Sequence, residues 1–231
     1  MNYDDIYVSR ISNIDSTSSY MITNNVDKII KKNIEYNYNL NENKESEIKY
    51  IEVYGEWIKS NEIINDSNIL GGVGLFKTDS IINIPLNEGK KEYFMYFNCF
   101  LLDQCDKIIF DTKNMPLFEM DIGEDYFKNY IMNKEYGNGM YIEYHNTPHY
   151  YISSMDSSGH IILGKKYDNL YKFAGFTIPQ GKMLYIPPYV LHNDCCLVGK
   201  YKVMYNLAED FSTVRFVNKN NLNEITQIFF K

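Results

Sequence analysis

The sequence predicts an all-β fold, and three observations carry that reading. From Ile48 onward the chain breaks into short runs rich in β-branched and aromatic residues, bounded by Gly, Asn or Asp, which is the pattern of strands and turns. Aromatics make up 16% of the 231 residues, with 22 Tyr against one Trp, so the interior is expected to hold many rings whose hydroxyls reach polar partners. The third observation is a set of metal-ligand side chains: Glu143, His145 and His149 in one cluster, and His192 behind a glycine and two prolines. Such side chains, drawn from two separated strand pairs, converge when the chain closes into a small barrel.

Residues 1–48 form a loosely organised lead-in, with a short helix expected over 26–34 and a polar stretch over 41–47. Strands are expected at 50–54, 72–76, 81–85, 93–102 and 107–111, followed by a helical or irregular segment at 121–127. After Gly137 the strand pattern resumes to Phe216, with runs at 140–145, 149–153, 160–164, 171–178, 183–186 and 200–207. The organisation predicted is a strand-rich extension or degenerate β domain over 1–115 and a barrel over 116–231, or one continuous domain.

Alternation along a strand places Tyr141, Glu143 and His145 on one face and Ile142 and Tyr144 on the other. Asn146, Thr147 and Pro148 make a short turn, because Pro fixes its own φ and holds Thr147 extended. His149 then returns beside His145. Imidazole nitrogen and carboxylate oxygen together suit iron, manganese, zinc, nickel or copper, and the spacing does not choose among them. No histidine precedes position 145, and all four lie between 145 and 192. His160, which opens the run His160-Ile161-Ile162-Leu163-Gly164 after a turn, is expected at a rim and outside the ligand set.

The two-part pattern resembles the cupin superfamily. The first part runs Gly137, five residues, Glu143-x-His145, three residues, His149; the second runs Gly181, five residues, Pro187, then His192. Glu143 stands where the superfamily has its first His and His149 where it has Glu, so three His and one Glu are kept but permuted. Tyr189 replaces the usual Gly, Cys196 the terminal Asn, and Asp156 occupies the place of a further Gly. The similarity covers residues 137 to about 207.

What the resemblance implies is a cupin-type double-stranded β-helix, or jelly roll, as the barrel over 116–231, with a few short helices and often a homodimer. Glu143, His145, His149 and His192 would hold one divalent transition metal (iron, manganese, zinc or nickel). The implied activity is that of a metal-dependent enzyme on a small-molecule polar substrate, by isomerisation of a sugar or sugar phosphate or by dioxygenation. A non-catalytic ligand-binding cupin and a Jumonji-like oxygenase using 2-oxoglutarate are alternatives, as is a purely structural dimer-forming module. Tyr141 and Tyr189 are the candidate catalytic residues: Tyr141 as a phenol over the cup or as core filling, Tyr189 as pocket rim or as turn packing. Lys202 and Arg215 are candidates to meet an anionic substrate, with a solvated face as the plainer role.

The net charge of −7 and pI near 5.2 argue against nucleic acid or an anionic membrane as partner, because both demand concentrated positive charge. Cys99, Cys105, Cys195 and Cys196 suggest neither a disulfide framework nor a zinc knuckle. The opening Met1-Asn2-Tyr3-Asp4-Asp5 lacks the basic and apolar regions of a secretory signal, so a cytoplasmic location is expected. The Gly71-Gly72-Val73-Gly74 run does not open a helix after a strand, which makes it a weak phosphate loop.

Overall fold

A computed structural model describes residues 8–12, 47–60, 72–102, 117–205 and 208–231. In chain order its strands are β1 (Val8–Ser12), β2 (Ile51–Tyr54), β3 (Glu56–Ile58), β4 (Val73–Thr78), β5 (Ile81–Ile84), β6 (Leu86–Asn87), β7 (Phe100–Leu102), β8 (Leu117–Ile122), β9 (Tyr141–His145) and β10 (His149–Ser153). They continue as β11 (Ser158–Gly159), β12 (Ile161–Tyr167), β13 (Leu170–Phe176), β14 (Met183–Ile186), β15 (Leu191–Asn193), β16 (Leu197–Tyr205), β17 (Phe211–Asn218), β18 (Asn221–Ile225) and β19 (Gln227–Phe230). A short helix, α1 (Lys91–Tyr96), precedes β7, and a π-helical turn, Tyr126–Ile131, follows β8.

The protein is all-β, its sheets wrapping into a nearly closed barrel. One sheet runs β1-β8-β16-β10-β14-β7, with β11 attached to β16. The other runs β2-β13-β12-β15-β9-β17-β4-β3, with β18 on β17 and β6 on β13. A separate parallel pair joins β19 to β5. Strands from before residue 115 share ladders with strands from after it: β2 with β13, β4 with β17 and β7 with β14.

Ile161, Leu163, Leu184, Ile186 and Val203 are buried, as expected where two sheets each contribute alternate residues to a shared interior. A second apolar layer is aromatic. Phe76 meets Tyr171 and Phe216 edge-on, with ring centroids 4.7 and 4.9 Å apart, the offset arrangement that ring quadrupoles favour. Buried phenols reach acceptors as expected: Tyr201 donates to the Ser158 carbonyl at 2.7 Å.

Gly74, the last glycine of the run, has a structural reason. A Cβ there would sit 2.0 Å from the Ile58 carbonyl oxygen, so only glycine lets β3 lie against β4 at this point.

The strand expected over 93–102 is corrected: it divides into α1 and β7. Tyr93, Phe94, Met95 and Tyr96 are all buried, and a continuous apolar run carries no period that separates a buried helix from a strand. Asn98, at φ 61°, ends the helix as a left-handed C-terminal residue, and the Cys99 N–H closes back on the Phe94 carbonyl at 2.9 Å. The helical or irregular segment expected over 121–127 begins as strand, because β8 runs on to Ile122 between β1 and β16, and turns helical at Tyr126. The strand expected at 107–111 and the helix at 26–34 lie outside the described residues. No helix among the described residues is long and apolar enough to cross a membrane.

Candidate metal centre

Three strands from two sheets bring the histidines together. His145 ends β9 and His192 lies in β15, neighbours in one sheet, where His192 pairs with Glu143. His149 opens β10 in the other sheet, between Ile186 and Tyr205. The turn at 146–148 thus carries the chain from one sheet to the other. All three rings are buried.

His145 Nε2 stands 3.2 Å from His192 Nε2, which stands 3.3 Å from His149 Nδ1. The three donor nitrogens lie within 4.8 Å of one another. Nitrogens bound to one ion at 2.0–2.1 Å and spread between octahedral and tetrahedral angles are about 2.9–3.4 Å apart, so both short separations fit.

Backbone carbonyls fix the rings. His145 Nδ1 donates to the Thr147 carbonyl at 2.6 Å and His192 Nδ1 to the Val190 carbonyl at 2.9 Å. A neutral imidazole carries one N–H, so both Nε2 atoms present lone pairs. Two lone pairs at 3.2 Å cannot hydrogen-bond to each other, and a cation between them resolves the conflict. Burial and then the neighbouring His192 lower the His145 pKa to about 3, and burial lowers that of His192 to about 4. Both rings are therefore neutral near pH 7, the ligand form.

Glu143 lies beside this set. Its Oε1 is 3.8 Å from His192 Nε2, and its Oε2 accepts a hydrogen bond from Thr213 Oγ1 at 3.1 Å. Around the histidines runs a phenol network that spacing alone did not reveal. The Tyr151 hydroxyl is 3.1 Å from His149 Nδ1 and donates to Asp194 Oδ2 at 3.0 Å. The Tyr141 hydroxyl donates to the other oxygen, Asp194 Oδ1, at 3.3 Å. Burial, then the Asp194 carboxylate, raise both phenols well above the ordinary tyrosine pKa, so they remain donors. Tyr151 was open to inference because it follows His149 by two residues on one strand face; Asp194 gave no such signal, since it lies beyond the end of β15.

The remaining candidates separate. Tyr189 donates its backbone N–H to the His145 carbonyl at 2.8 Å, while the residue as a whole is 56% exposed. Its φ is +65°, a left-handed conformation that costs a residue other than glycine about 1–3 kcal/mol. His160 is outside the cluster and packs on Phe230, ring centroids 4.3 Å apart. Lys202 is exposed on β16. Arg215 lies opposite Tyr141 in the β17–β9 ladder, and its buried Nε has no hydrogen-bond partner among the described residues. Cys99, Cys195 and Cys196 are free and buried.

A mostly-β, barrel-like fold with a cluster of three buried histidines able to hold a metal ion is compatible with a cupin. No family model matches the chain, and no curated protein matches it.

Proposed function

We propose that the chain is a metal-dependent enzyme of cupin type, acting on a small polar substrate, with isomerisation of a hydroxy-carbonyl compound such as a sugar as its chemistry. The observation that carries this reading is the pair of unprotonated Nε2 atoms of His145 and His192, 3.2 Å apart and committed by their Nδ1 hydrogen bonds. His145, His149 and His192 would be the nitrogen ligands and Glu143 the oxygen ligand. A divalent transition ion held there supplies Lewis acidity toward a carbonyl or hydroxyl oxygen.

The chain's own residues supply the rest. Asp194 holds the hydroxyls of Tyr141 and Tyr151, so two phenols are kept at fixed positions beside the histidines. Proton movement between neighbouring substrate oxygens needs hydrogen-bonding groups placed in this way, which favours isomerisation over dioxygenation. Thr213 orients the Glu143 carboxylate through its hydroxyl. Arg215, on the same face of β17 as Thr213, offers a cation to an anionic substrate group.

The test is elemental mass spectrometry on untagged protein purified without chelator, beside the His145→Ala/His192→Ala variant. About one iron, manganese, nickel or zinc per chain, lost in the variant, is expected. No metal after reconstitution would overturn the reading in favour of a ligand-binding cupin. Oxygen uptake on adding substrate, or stimulation by 2-oxoglutarate, would replace isomerisation by oxygenation. Light scattering reads the homodimer that the cupin reading also carries.

A further inference from the structure

A groove of about 930 Å³ lies apart from the histidines, none of which lines it. Its walls include Trp57, Lys59, Tyr144, Lys165, Lys166 and Tyr189. Tyr144 belongs to β9, but its side chain alternates away from Glu143 and His145. We propose that this groove is a second binding site, for a short acidic saccharide whose rings lie on the aromatic faces and whose carboxylate, sulfate or phosphate groups meet the lysines.

Three independent observations support it. The first is Tyr189. Its φ of +65° is a conformation that glycine adopts freely, yet the residue is a tyrosine that is more than half exposed. Strain on a bulky residue whose side chain stays out of the core points to a use for that side chain in solution-facing recognition.

The second is the run of rings. Trp57 and Tyr144 have centroids 5.5 Å apart and tilted by 33°, and Tyr144 and Tyr189 follow at 6.2 Å and 45°. The result is a curved aromatic surface rather than a parallel slot. The Trp57 indole N–H is anchored on Ser212 Oγ at 3.0 Å, which fixes the first ring.

The third is charge. Three lysines line the groove against one carboxylate, Asp210, on a chain of net charge −7. Lys59 Nζ lies 5.2 Å from the centre of the Tyr144 ring, so a cation and a ring of the groove occupy the same surface. A long polyanion would meet repulsion beyond the groove; a ligand with two or three anionic groups would not.

The experiment is calorimetry and thermal unfolding of the full chain in EDTA, so that failure of the metal centre leaves the outcome unaffected. The probes are trigalacturonate, the neutral maltotriose and trithymidylate. Saturable binding of trigalacturonate is expected, at least 10-fold weaker in Lys59→Gln/Lys166→Gln. Tyr189→Gly should also weaken it at least 10-fold while its unfolding midpoint stays at or above that of the wild type. Equal binding of maltotriose, tighter binding of trithymidylate, or no saturable trigalacturonate binding would each overturn the proposal. So would a lowered midpoint in Tyr189→Gly, which would make the tyrosine a structural part of the turn.

Discussion

His145 and His192 face each other through unprotonated Nε2 atoms, because the Thr147 and Val190 carbonyls each take the proton-bearing nitrogen of one ring. The carbonyl partners orient the two rings as they would need to stand to hold an ion, and outer partners of this kind set both tautomer and ligand basicity. Metal should therefore stabilise the fold by mass action: at free ion 100 times its dissociation constant, about 2.7 kcal/mol. Thermal unfolding with and without chelator measures this. His192→Ala should erase the metal-dependent shift and His160→Ala should keep it; equal loss in both would show that the ligand assignment is wrong.

Tyr151 links His149 to Asp194, and Tyr151→Phe removes one hydroxyl while keeping the ring. That hydroxyl engages His149 Nδ1, the nitrogen turned toward the other two histidines, so its removal frees the ligand atom and metal affinity should stay level or rise. Competition against a fluorescent chelator gives the number. Asp194→Asn should likewise not weaken binding, and a fall of about 10-fold or more in both variants would show that the network supports His149 from the far side of its ring.

The aromatic layer is predicted to carry much of the stability. Phe76 is fully buried and in contact with Tyr171, Phe173 and Phe216, so Phe76→Ala should cost about 3–5 kcal/mol. Tyr54 is 65% exposed, and Tyr54→Ala should change stability by less than about 0.5 kcal/mol. Urea unfolding of the two variants side by side checks the contrast.

His160 sets a pH dependence of its own. Burial lowers its pKa to about 4 from an ordinary 6.5, and its Nε2 is buried without a hydrogen-bond partner among the described residues. Between those values the unfolded chain binds more protons than the folded one, so stability is fully present above about pH 6.5 and falls as the pH drops toward 4. His160→Gln should make that part of the profile shallower but not flat in urea unfolding from pH 7 to 4.5, because His145 and His192 are lowered over the same range. A profile parallel to the wild type would assign the acid sensitivity elsewhere.

Much of this was legible in the residues. The strands around the histidines were readable because β9 and β10 are short β-rich runs joined by a Pro-containing turn. The three histidines converge because that turn crosses between sheets while β15 places His192 next to Glu143. Local pattern failed where burial is continuous: Tyr93 to Phe97 is apolar throughout and folds as a buried helix. The strand pattern was expected to continue to Phe216, and β17 lies there over Phe211–Asn218, but its pairing with β9 and with the distant β4, which brings Thr213 to Glu143, carries no local signal. Nor does any spacing rule anticipate that one carboxylate, Asp194, would collect two phenols.

The turn at 146–148 leaves His145 hanging from one sheet and His149 from the other, with only three residues between them. An ion gripped by both rings would act as a clasp across the seam of the barrel, so that its loss would loosen the two walls against each other before either wall came apart. Amide exchange in β9 and β10 would then quicken together on chelation while β12 and β13, deep in one wall, kept their protection. A site arranged in that way would report its own occupancy through the stiffness of the seam.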